Sequence, residues 1–61
     1  MDYIANEILT VNDVAEMLYI GKNTVYALLQ SGDLKAFRIG KSWRVPRENL
    51  NQFIINRSRM D

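Results

Sequence analysis

Lys22, Asn23, Thr24 and Tyr26 crowd one short stretch of the chain, and Lys35, Arg38, Lys41, Ser42 and Arg44 follow on a second. Their chemistry is that of recognition. Asn can take adenine bidentately, Thr can meet the thymine methyl, and Lys can take guanine or a phosphate. A cation laid along a phosphate backbone also displaces condensed counterions. Plainer readings compete, since polar residues fill any exposed first helical turn and exposed strands carry Lys and Arg to prevent edge pairing.

Catalysis has poor material to work with. The chain holds neither cysteine nor histidine, which removes Ser-His and Cys-His dyads, disulfide frameworks and most transition-metal sites. The acids stand singly, with no pair reading as a raised acid beside a lowered base. Gly21, Gly32 and Gly40 stand alone, so no glycine-rich phosphate loop exists. A 61-residue chain also leaves little room for a pocket of several hundred cubic ångströms. The expectation is a protein that is not an enzyme and takes no metal, cofactor or small-molecule ligand.

The formal net charge of +1 conceals an asymmetry. Residues 1–20 carry Asp2, Glu7, Asp13 and Glu16 with no cation, whereas residues 21–47 carry Lys22, Lys35, Arg38, Lys41, Arg44 and Arg47 against Asp33 alone. Such segregation suits an anionic partner on one face, although surface scatter produces it too. No apolar run approaches the roughly 20 residues that cross a bilayer, and Met1 to Leu9 lack the basic start and apolar core of a signal peptide. Absence of cysteine fits a reducing cytoplasm. One small domain over 1–61 is expected, with an ordered core of about 8–57 and marginal stability.

The elements that position these side chains follow from pattern. Thr10 can cap a helix with Asp13 three residues on, and Val11, Val14, Ala15 and Leu18 form one stripe, which predicts a helix over 11–18. Tyr19-Ile20-Gly21 interrupts it. Val25, Leu28 and Leu29 mark a second helix over about 22–31, closed by Gly32 as a left-handed cap. Two helices joined by so short a turn make a helix-turn-helix candidate. Residues 35–39 and 43–45 then alternate with period two around Gly40-Lys41-Ser42, which predicts a hairpin.

The hairpin's register is a choice between two signals. A three-residue loop sets Ile39 opposite Trp43, Arg38 opposite Arg44 and Phe37 opposite Val45. Apolar residues then share the inner face, and two arginines repel each other on the outer one. Against it, such a loop prefers glycine last, whereas Gly40 comes first. The face pattern is followed here, because a slip of one would set Phe37 beside Arg44. Pro46 suits the first turn of a third helix, whose stripe is Leu50, Phe53 and Ile54, with Arg57 and Arg59 near its C-terminal end.

These residues also carry a family resemblance. Leu9-Thr10-Val11, Val14-Ala15, Leu18, Thr24-Val25-Tyr26, Leu28, Gly32, Leu34, Arg38-Ile39-Gly40-Lys41, Trp43-Arg44-Val45-Pro46-Arg47 and Leu50 resemble the small excisionase-type DNA-binding domains, relatives of the MerR-type winged helix. The resemblance covers about residues 8–55. It implies a winged helix-turn-helix, mainly α with a small β-hairpin, whose second helix enters the major groove while the wing lies on the backbone or minor groove. Arg38 and Arg44 would be phosphate contacts. Trp43 could touch the backbone, but the alternation places it in the core opposite Ile39. Many relatives have Ser where Gly21 stands and a cation where Ala27 stands, which implies weaker intrinsic affinity and cooperative binding.

The function so implied is sequence-specific duplex DNA binding by an excisionase-like recombination-directionality factor. It would act architecturally, with a recombinase and further copies of itself as partners, in a prokaryotic or phage-encoded setting. A small MerR-like transcriptional regulator is the near alternative, although the chain's end at Asp61 leaves no ligand-sensing domain. A protein-interaction module using Ile55, Met60 or Tyr3-Ile4 is the alternative of a different class.

Overall fold

The computed structural model describes residues 8–59. Asp2, Glu7, Tyr3-Ile4 and Met60, named above, lie outside them. The first helix, α1, spans Val11–Leu18. Thr10 Oγ1 accepts from the Asp13 amide at 3.1 Å and Asp13 Oδ2 accepts from the Thr10 amide at 3.0 Å, a reciprocal capping box. Val11, Val14 and Ala15 are buried, as the stripe requires.

The end of α1 turns through Tyr19, at φ 58° and ψ 46°. The Ile20 amide reaches back to the Ala15 carbonyl and the Tyr19 amide to that of Glu16. This is a Schellman cap with tyrosine in the left-handed position that usually falls to glycine. The second helix, α2, spans Lys22–Ser31. Gly21 is its N-cap without a side-chain bond, and Gly32 at φ 86° ends it.

The sheet has three strands, one more than the hairpin alone predicts. Ile8–Leu9 (β1), Phe37–Ile39 (β2) and Ser42–Pro46 (β3) lie in the order β1-β3-β2, every pair antiparallel. Ile8 pairs with Pro46 and Leu9 with Val45, so the short leading strand is stitched to the base of the wing.

The register is shifted by one from the sequence expectation. Phe37 pairs with Arg44, Arg38 with Trp43 and Ile39 with Ser42. The loop is therefore Gly40-Lys41, with positive φ at Gly40 only, the pattern of a type II′ turn. Turn chemistry prevailed over face pattern because a two-residue turn with glycine first matches the natural strand twist. Three expectations fall with it. Ile39 does not face Trp43, Phe37 does not face Val45, and Arg38 and Arg44 point to opposite faces and do not oppose each other. Phe37 and Ile39 are exposed.

The third helix, α3, spans Arg47–Ser58, with Pro46 as its N-cap and not inside its first turn. Leu50 is fully buried and Phe53 packs partly on the core, but Ile54 is exposed and drops out of the stripe. The core gathers Leu9, Val11, Val14, Ala15, Val25, Leu29, Leu34, Val45 and Leu50 from all parts of the chain, with Trp43 at its margin. Among the described residues, three helices and an antiparallel wing make a winged helix-turn-helix.

Candidate nucleic-acid interface

An open cleft of about 270 Å³ lies where the start of α1, the first turns of α2 and the tip of the wing meet. Thr10, Val11 and Asn12 come from α1, Lys22 and Tyr26 from α2, and Lys41, Ser42, Trp43 and Arg44 from the wing. Each contribution has a local cause. Lys22 and Tyr26 are four apart on one helix, hence one above the other on one face. The Gly40-Lys41 turn sets Lys41 at the tip. Arg44 is half-buried, and its Nη1 donates to the Trp43 carbonyl at 3.3 Å.

The cleft is cationic. Lys22, Lys41 and Arg44 line it, and no carboxylate does among the described residues. The hydroxyls of Thr10, Tyr26 and Ser42 and the amide of Asn12 add neutral hydrogen-bonding groups. The positive end of the α1 dipole also lies here, offset by the Asp13 carboxylate that accepts from the Thr10 amide. Such a set can hold an anion.

The structure thus draws together Lys22, Tyr26, Lys41, Ser42 and Arg44 of the sequence candidates. Asn23 and Thr24 stand exposed on the first turn of α2, beside the cleft but not lining it. Arg38 leaves the group, its guanidinium carbon lying 5.3 Å from the centroid of the Trp43 ring. Lys35 lies apart, in a smaller groove with Asp33, Asn49, Gln52, Phe53 and Asn56. Its carbonyl accepts from Asn49 Nδ2 at 3.1 Å. Sequence reasoning missed Thr10, Val11 and Asn12 as cleft residues. Their only local signal was the helix cap, which says nothing of what faces it.

Among the described residues no group of three or more Asp, Glu, His or Cys side chains converges as a metal site. No helix among them is long and apolar enough to cross a membrane.

A family model described as a helix-turn-helix domain matches residues 8–58. The chain belongs to this helix-turn-helix family, in keeping with its resemblance to excisionase-type domains. It is 43% identical over 47 residues to an uncharacterized protein of Bacillus subtilis, a match covering 77% of this chain and 15% of that protein. It is 46% identical over 39 residues to a Mycobacterium tuberculosis protein named "Putative DNA-binding protein", covering 64% of this chain and 50% of the relative. A Saccharopolyspora erythraea protein named "Probable excisionase" is 37% identical over 46 residues, covering 75% and 47% respectively. The chain therefore spans half or less of the length of these relatives. No solved structure matches it significantly.

Proposed function

We propose that this chain is a non-catalytic, sequence-specific binder of duplex DNA, with α2 in the major groove and the wing on the adjoining backbone. The observation that carries this reading is the cleft, which among the described residues is lined by cations and by no carboxylate. Three cations and several hydroxyl and amide groups converge there beside the exposed first turn of α2. In this reading Asn23 and Thr24 meet base edges, while Lys22, Lys41 and Arg44 meet phosphates. Tyr26 and Ser42 add hydrogen bonds to the backbone. Lys35 and Arg38 act at longer range through their charge.

The finer role we propose is that of an excisionase-like architectural factor in a prokaryotic or phage cytoplasm. Several copies would sit cooperatively on DNA and bias a recombinase. The similarity to a protein named as an excisionase supports this reading over a transcriptional regulator.

Binding to a random-sequence duplex, measured across a salt series, tests the DNA reading. If three cleft cations neutralise phosphates, log affinity falls with log salt at a slope of about −2.7, near −0.9 per phosphate. Binding that stays flat with salt, or is absent at low salt, overturns the reading.

A further inference from the structure

We propose that the outer face of the wing is an apolar wedge, Ile39 backed by Phe37, that enters the minor groove of duplex DNA and bends it. The proposal rests on the DNA-binding reading above. Directly paired residues of an antiparallel ribbon project to the same side, so the observed register puts Phe37, Ile39, Ser42 and Arg44 on one face. The opposite face carries Val45, fully buried, and Trp43, packed on the core margin. The face with Phe37 and Ile39 is thus the one turned to water, where alternation calls for polar residues. Instead Phe37 is 45% and Ile39 61% exposed, and Ile39 directly precedes the turn.

The surroundings of this pair select its occupant. The pair shares its face with Ser42 and Arg44, and Lys41 stands at the adjoining turn, so its neighbours in the ribbon include two cations and no acid. A second wing laid on this face would bring like charges together. With only three residues, β2 is also a poor edge for strand pairing. An apolar tip flanked by Lys41 at the turn and Arg44 on the same face fits a partner whose outside is anionic and whose interior is stacked and apolar, which is duplex DNA. Apolar side chains inserted from the minor groove unstack a base step and kink the duplex by about 20–90°. Arg44 and Lys41 would hold the flanking phosphates while Ile39 enters the step.

The test uses a duplex of about 30 base pairs, recovered by the full chain from a random pool and labelled at both ends for energy transfer. Ile39→Thr and the double variant Phe37→Thr/Ile39→Thr keep a β-branched residue in the strand. Thermal melts check that each remains folded. The expected result is a shortened end-to-end distance with the parent chain, partly lost with the single variant and abolished with the double. Both variants should keep the parent's salt slope. Equal bending by all three proteins, or none by the parent while salt-dependent binding persists, overturns the wedge but leaves DNA binding intact. Loss of self-association by the variants at unchanged bending would assign the patch to a second copy and also overturn it. Absence of salt-dependent binding by the parent would instead sink the reading beneath.

Discussion

Arg38 and Trp43 are direct partners across the wing, with the guanidinium carbon 5.3 Å from the centroid of the indole ring. The arginine is thereby held on the inner face of the ribbon, away from Arg44. The charge repulsion expected from the sequence is replaced by a cation–π contact, worth about 0.5–1 kcal/mol at an exposed site.

Arg38→Ala should therefore lower the melting temperature slightly, where a relieved repulsion would have raised it. Trp43→Ala removes both that contact and part of the core margin. It should cost more than Arg38→Ala, though less than the roughly 3–5 kcal/mol of a fully buried aromatic. In a domain of this size 1 kcal/mol moves the midpoint by about 4–8 °C, so thermal melts resolve the two. A raised midpoint for Arg38→Ala would contradict the register.

Left-handed backbone gives a pair of opposite expectations. Tyr19→Gly relieves the tyrosine of a conformation that costs an L-residue about 1–2 kcal/mol, and should stabilise the chain by somewhat less than that. Gly40→Ala forces an L-residue into the first position of the type II′ turn at φ +61°, which glycine alone enters readily, and should destabilise the wing by about 1–3 kcal/mol. Denaturant midpoints of the two variants should move in opposite directions. Gly21 differs from both, since an added Cβ meets nothing within 4 Å and its φ of −76° suits any residue. Gly21→Ser should gain a few tenths of a kcal/mol by supplying the missing cap hydroxyl.

Leu50 is the sole buried residue of α3. Its replacement by Ala should cost about 2–5 kcal/mol, enough in so small a chain to unfold much of the population. Ile54→Ala, on the same helix but exposed, should fall within about 0.5 kcal/mol of the parent. Circular dichroism melts that rank the two the other way would show that α3 packs through a different face.

If α2 reads bases and the wing holds phosphates, as proposed, the two roles separate in binding. Asn23→Ala should reduce discrimination among sites by about 1–3 kcal/mol, whereas Arg44→Ala should weaken all sites alike and make the salt slope shallower by about one unit. Titrations on selected and random duplexes at several salt concentrations separate these outcomes. Equal weakening on both duplexes by Asn23→Ala would demote it to a positioning contact.

The sequence by itself determined the helices, because their ends are set by neighbours in the chain. Thr10 and Asp13 bond each other within one turn, Gly32 takes the left-handed cap at the end of α2, and burial follows the 3.6-residue stripe. It also pointed toward an anionic partner, since the cations and amides of residues 22–44 need no fold to be seen. The wing's register was legible only in its turn, where Gly40 in first place favoured a two-residue loop against the apolar alternation.

Other features were settled by tertiary structure alone. Two residues, Ile8 and Leu9, show no period, and they become a strand only because β3 offers them an edge. Ile54 lies on the apolar side of α3 by sequence, but the shallow contact of that helix with the core leaves it in water. The cleft joins Thr10 to Arg44 across most of the chain. A backbone that closes such long loops does so through the shared burial of Val14, Val25, Val45 and Leu50. Which polar side chains then face one another depends on how those cores seat together, and no local pattern contains that.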